Sequence, residues 1–142
     1  MLVSQILKAK GDLVFTAAPS ETVSAICALL HSRRVGAMII MDGDRVAGIV
    51  SERDVVRVMA EQGSAALNQP VSSCMTRDVV FAEPNESVNA LLSRMTDRRL
   101  RHLPVCEGER LIGIVSIGDL VKHKISEVEA EADGLKAYIA AG

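Results

Sequence analysis

The chain has 142 residues, enough for one domain or two small fused units that bury a sizeable core. Apolar residues make up 49% of it, yet only Phe15, Phe81 and Tyr138 are aromatic, so that core must be aliphatic. A net charge of −2 excludes the basic surface that non-specific nucleic-acid binding requires, and no apolar run approaches the length of a membrane span.

The N-terminus shows no secretory hydrophobic core. Cys27, Cys74 and Cys106 are far apart and form no Cys-x-x-Cys pair. They read as small buried hydrophobes of a reducing, cytoplasmic compartment, not as a disulfide frame or a metal site.

In chain order, Val3-Ser4-Gln5-Ile6-Leu7 opens a lead-in segment, and Val14 to Ala17 reads as a short strand ahead of Pro19. Val23, Ile26, Cys27 and Leu30 then recur at helical spacing. The unbroken apolar run Ala37 to Met41 is the pattern of a strand covered on both faces. Asp42-Gly43-Asp44 turns it back into a second strand, with Gly48 inside it where a side chain would block the close approach of another group. That strand ends at Ser51, an N-cap, with Asp54 three positions on, a capping-box variant opening a helix. Gly63 ends this helix and Ser64 to Pro70 form a linker.

The series then recurs. Pro84 to His123 aligns without a gap on Pro19 to Val58, and Val71-Ser72-Ser73-Cys74-Met75 matches the lead-in, the first copy carrying extra residues around Gly11. The second copy supplies a strand at Val79 to Ala82, a helix with Val88, Leu91, Leu92 and Met95 on one face, a strand at Leu103 to Cys106, and an acid-Gly-acid turn. It closes with the Gly113-to-Asp119 stretch, in which Ser116 is the cap. Each copy thus reads as strand, helix, strand, strand, helix: repeat 1 over 1–63, linker 64–70, repeat 2 over 71–124 and a helical extension over 125–142. Pro104 demotes its strand towards an edge or a bulge, because it has no N–H to donate. Val121, Ile125, Val128, Ala132, Leu135 and Ile139 form an a/d seam along the tail. That seam lies back on its own domain or pairs with another copy.

No Walker loop, no Gly-x-Gly-x-x-Gly behind a strand, no metal-spaced His pair and no Ser-His-Asp set stands out. Catalysis and metal binding are not expected.

The two Gly-Ile-Val-Ser-x-x-Asp stretches (Gly48 to Asp54, Gly113 to Asp119), the acid-Gly-acid hairpins and Arg101-His102-Leu103-Pro104-Val105 resemble the CBS-domain pair, or Bateman module, in its small stand-alone bacterial form. The resemblance implies an α/β (α+β) fold of tandem β-α-β-β-α repeats packed as a pseudo-two-fold pair with a C-terminal helix. It implies an adenosine-containing ligand between the copies: AMP foremost, with ADP, ATP, NAD or S-adenosylmethionine as alternatives. One cleft would combine Ser51 and Asp54 with Thr76 to Val79 and with Arg101, His102 and Leu103. The other would combine Ser116 and Asp119 with Val14 to Thr16 and with Gly36, Ala37 and Met38. Each Asp would accept hydrogen bonds from the ribose hydroxyls, while Arg101 and Arg53 would attract phosphate and Glu52 repel it. Gly118 leaves space beside Asp119, so the clefts would differ in affinity. A cytoplasmic homodimer that signals occupancy to an unidentified protein target is implied. The alternative is a structural or dimerisation adaptor with vestigial clefts.

Overall fold

The computed structural model describes residues 1–11 and 13–142. Among them lie five α-helices and two small sheets, a mixed α+β architecture in which the order of elements repeats. In the first repeat these are α1 (Val3–Lys10), β1 (Thr16–Ala17), α2 (Val23–Arg33), β2 (Ala37–Asp42), β3 (Arg45–Ser51) and α3 (Glu52–Gln62). In the second they are α4 (Val88–Arg98), β4 (His102–Glu107), β5 (Arg110–Ser116) and α5 (Ile117–Ala141). Gly63 caps α3, as its place in the sequence suggests. The segment Gly63–Asn68 that follows is a 3-10 helix with Ala66 fully buried, and Val71–Ser73 is a second one.

Both hairpins form, with Gly43 and Gly108 at φ near +63° in the turns, where a Cβ would be strained. Each carries the same register shift, between Ile40 and Met41 and between Val105 and Cys106. Helices α2 and α4 open on hydroxyl caps: Thr22 accepts from Ala25 N–H and Ser87 from Ala90 N–H, both at 3.1 Å. They end on Arg34 and Arg99, both left-handed at φ +55°.

The expected strand over Val79 to Ala82 reduces to a single bridge between Ala82 and Val105, while its counterpart in the first repeat keeps two paired residues. Pro104 is the reason. In the first repeat Ile39 N–H donates to Phe15 O at 3.3 Å. Pro104 stands at the place of Ile39 and has no N–H, so that rung is lost. Only the bonds around Ala82 remain, Ala82 N–H to Pro104 O and Cys106 N–H to Ala82 O, both 2.9 Å.

The compact units are Leu13–Val80 and the N-terminal helix together with Phe81–Gly142. The lead-in of each repeat therefore packs in the unit that holds the other repeat's helix and hairpin. Val3 N–H donates to Glu86 O and Ser4 N–H to Pro84 O, both 2.9 Å. The same pair of bonds recurs as Val71 N–H to Glu21 O at 2.7 Å and Ser72 N–H to Pro19 O at 3.2 Å. Val3, Ile6 and Leu7 join Val88, Leu91, Leu103, Val115 and Leu120 among the buried residues of one unit, and Val71, Cys74 and Met75 lie in the core cluster of the other. At about 25 cal/mol per Å² of apolar surface, each lead-in contributes several kcal/mol to the unit it joins.

Gly48 and Gly113 permit that packing. A Cβ on Gly48 would lie 2.7 Å from Met75 Sδ and 2.8 Å from Thr76 O, and one on Gly113 2.7 Å from Leu7 Cδ2. What approaches each glycine is the lead-in segment.

Candidate functional site

Ser51 and Ser116 sit at the junction of an apolar strand with a helix, and both capping boxes close. Ser51 N–H donates to Asp54 Oδ2 and Ser116 N–H to Asp119 Oδ2, each at 2.9 Å. In return Asp54 N–H donates to Ser51 Oγ at 3.4 Å and Asp119 N–H to Ser116 Oγ at 3.1 Å. Each carboxylate is thereby fixed beside the free N–H groups of a helix start, a setting that favours negative charge.

The cations around the two acids differ. In unit Leu13–Val80, Arg57 donates to Asp54 Oδ1 at 3.0 Å and to Cys74 O at 2.9 Å. The hydrogen bond to Asp54 is the main cause that raises the Arg57 guanidinium above its ordinary value. Thr76 is held beside Ile49 by two backbone bonds, Ile49 N–H to Thr76 O at 2.9 Å and Thr76 N–H to Ile49 O at 2.8 Å. Its hydroxyl stands 3.5 Å from Asp54 Oδ1. Both Asp54 oxygens are engaged.

In the other unit Lys10, from the last turn of α1, takes over. Its Nζ donates to Asp119 Oδ2 at 2.6 Å and to Ile114 O at 2.9 Å. Ile114 is the counterpart of Ile49, so one ammonium replaces the backbone N–H and the hydroxyl that Thr76 supplies in the first repeat. Among the described residues no hydrogen bond reaches Asp119 Oδ1. Burial alone would raise the Asp119 carboxyl, but the Lys10 ammonium and the Ser116 N–H and hydroxyl outweigh it and hold it below its usual value. Asp119 is an ionised acceptor at neutral pH with one oxygen turned to other uses.

Neither cation was singled out in the sequence. Arg57 had a signal, the i,i+3 spacing from Asp54 on one helix face. Lys10 had none, because 109 residues separate it from Asp119.

The remaining expected site residues fall as follows. Gly36 O accepts from Glu52 N–H at 3.0 Å, and Ala37 pairs with Ser51 in the ladder. Likewise Arg101 O accepts from Ile117 N–H at 2.8 Å, and His102 pairs with Ser116. Within each unit the start of the middle strand thus lies against the cap of its own repeat. Met38 is 1% exposed and belongs to the core, which leaves it inaccessible to a ligand here. Thr16, Thr76, Arg53, Arg101 and Gly118 are exposed, and Val14 and Val79 half-buried. A Cβ on Gly118 would meet only Ser116 Oγ, at 3.6 Å. An open depression of ≈ 540 Å³ is bordered by Gly36, Glu52 and Arg34, but Asp54 does not line it. The thiols of Cys74 and Cys106 are pushed up by burial and stay protonated. Among the described residues no group of three or more His, Cys, Asp or Glu could hold a metal ion, and no helix is long and apolar enough to cross a membrane.

Two tandem hairpin-and-helix units, each closing on a Ser-capped Asp, define a class, and comparison with known proteins places the chain in it. The sequence profile of the CBS domain matches residues 11–61 and again 71–126, and the chain belongs to that family as a tandem pair. It is similar to the CBS domain-containing protein CBSX3, mitochondrial, of Arabidopsis thaliana, at 31% identity over 99% of this chain and 72% of that protein. Among solved structures, a CBS-domain containing protein from Agrobacterium tumefaciens matches with a TM-score of 0.86 and 41% identity, covering 87% of this chain and 99% of that one. Two others at 22% identity share the fold. One is a CBS domain protein from Pyrobaculum aerophilum complexed with AMP (TM-score 0.74, 84% of this chain, 89% of that one). The second is the CBS domain pair of protein MJ0100 in complex with 5′-methylthioadenosine and S-adenosyl-L-methionine (TM-score 0.79, 89% and 98%).

Proposed function

We propose that this protein is a non-catalytic regulatory module that binds an adenine nucleotide, AMP foremost with ADP, ATP or NAD as alternatives, and signals its occupancy to a protein partner. The observation that carries this reading is Asp119: an ionised carboxylate, fixed by its own cap, with Oδ1 unengaged among the described residues. Such a group accepts from both hydroxyls of a ribose, and hydrogen bonds to a charged acceptor contribute about 1.5–3 kcal/mol each. AMP, 5′-methylthioadenosine and S-adenosyl-L-methionine share adenosine and differ in charge at the 5′ position. Ribose recognition is therefore the constant element, and cations near the 5′ group set the choice. In the cleft of Asp54 that the family resemblance implies, Arg101, which immediately precedes β4, and Arg53 are assigned to phosphate, with His102 beside Arg101. Thr76 and Val79 are assigned to the rest of the nucleotide in that cleft, and Val14, Thr16, Gly36 and Ala37 in the cleft of Asp119.

Occupancy shifts the molecule only where the ligand binds one arrangement better than another. The protein acts as a cytoplasmic homodimer in this reading, in keeping with its three unpaired cysteines and an apolar seam on its tail.

Titration calorimetry with AMP, ATP, NAD and S-adenosylmethionine tests the proposal. One of them is expected to bind, and Asp119→Ala to weaken it by about 30-fold or more with the fold intact. An Asp119→Ala variant that binds like the parent overturns the ribose assignment. The full engagement of Asp54 by Arg57, Ser51 and Thr76 favours a second reading, an adaptor whose clefts are filled by its own side chains. That reading predicts no heat with any of the four.

A further inference from the structure

Among the described residues Lys10 is the cation paired with Asp119, and its ammonium is only partly spent. An ammonium has three N–H groups. One donates to Asp119 Oδ2 at 2.6 Å and one to Ile114 O at 2.9 Å, and the third meets no acceptor among the described residues. The Lys10 side chain is 31% exposed and that of Asp119 25%, so both stay within reach of a ligand. Lys10 lies in the last turn of α1, whose Val3 and Ile6 are fully buried and Leu7 nearly so. Its stem is thus held at the root by a packed helix and at the tip by a strand carbonyl and a carboxylate. A donor held in this way has already given up its rotamer freedom, and binding does not have to order it.

The two repeats differ in which carboxylate oxygen the lead-in segment takes. In the first, the Thr76 hydroxyl turns to Asp54 Oδ1, where Arg57 also donates, and that oxygen is closed. In the second, the Lys10 ammonium joins the Ser116 N–H on Oδ2 and leaves Oδ1 open among the described residues. An ion pair this exposed adds little stability, and the cap already positions Asp119. What Lys10 adds is an unspent donor beside an open acceptor. A hydroxyl that donates to Oδ1 keeps its own lone pairs, and an ammonium donates to one of them.

We propose that Lys10 is a specificity-determining residue of this site: its third N–H donates to the oxygen of one of the two ribose hydroxyls that donate to Asp119 Oδ1. The inference rests on the ribose assignment made above and adds to it a discrimination by sugar. One hydroxyl makes two charge-assisted hydrogen bonds and the other makes one. A nucleotide that lacks the first leaves a charged N–H unmatched as well as an acceptor. The site therefore rejects one deoxyribonucleotide more strongly than the other, and Lys10 is the reason.

Titration calorimetry of the full chain with AMP, 2′-deoxy-AMP and 3′-deoxy-AMP tests this. On the parent both analogues are expected to bind more weakly than AMP, one of them by about tenfold more than the other. Lys10→Met keeps the stem and removes every donor. It should weaken AMP by about tenfold and leave the more strongly rejected analogue within about twofold of its parent affinity, so that the two analogues come to bind alike. Equal losses for the two analogues on the parent overturn the proposal, whatever Lys10→Met does to the fold. A variant in which all three ligands weaken by one factor also overturns it, because a residue that only supports the fold moves them together. A gain in AMP affinity overturns it too, since Lys10 would then compete with ribose for Asp119. AMP binding that survives Asp119→Ala lies elsewhere and overturns the ribose assignment and this inference together. AMP without heat overturns this inference outright, whereas the proposed function falls only if ATP, NAD and S-adenosylmethionine are silent too.

Discussion

Gly48 and Gly113 occupy equivalent positions, yet an added methyl group would meet different neighbours. At Gly48 one obstacle is the backbone oxygen of Thr76, at 2.8 Å and itself held in a hydrogen bond to Ile49. At Gly113 it is the far end of the Leu7 side chain and not backbone. Gly48→Ala is therefore expected to lower stability by about 1–3 kcal/mol, and Gly113→Ala by clearly less, read from urea unfolding midpoints. Lys10 invites a second test. The native Asp119 carboxyl lies below its unfolded value, so its ionised form stabilises the fold at pH above the ordinary carboxylate range. That contribution fades as pH falls through the lowered native value. Lys10→Gln should cost up to about 1 kcal/mol near pH 7, and the gap to the parent should close below roughly pH 4 as Asp119 takes up a proton. A gap that stays constant with pH would mean that Lys10 acts through its bond to Ile114 O alone.

At the scale of elements, the feature with most consequence is the exchange of lead-in segments. Helix α1 supplies Val3, Ile6 and Leu7 to the buried core of the unit that holds α4, β4 and β5. Removing residues 1–10 should therefore accelerate amide exchange in α4, β4 and β5, with Leu13–Val80 keeping its protection. The opposite pattern would show that the helix serves its own repeat. The divergence of the two short leading strands follows a single residue. Pro104 removes the N–H that Ile39 uses, and the ladder shortens to one bridge.

For the whole molecule, linkage makes the proposed function measurable without knowledge of the target. AMP at a hundredfold excess over its dissociation constant should raise stability by about 2.7 kcal/mol, and Asp119→Ala should abolish most of that gain at the same concentration. Unchanged melting with every adenine nucleotide would support the adaptor reading.

The features legible from the chain alone were local or periodic. The capping boxes need only a Ser and an Asp three residues apart, because a helix start fixes their geometry. The hairpins follow from apolar runs on either side of the acid-Gly-acid turns at Gly43 and Gly108, the tail helix from its heptads, and the duplication from self-similarity. The lack of a donor at Pro104 announced a weakened strand without saying which rung would fail. Tertiary structure alone decided what approaches Gly48 and Gly113, which unit each lead-in joins, and which cation meets each acid. Lys10 and Asp119 lie at opposite ends of the chain, and no spacing rule reaches that far. Their pairing exists only because α1 is buried beside β5 and α5, where an ammonium can satisfy a strand carbonyl and a carboxylate at once.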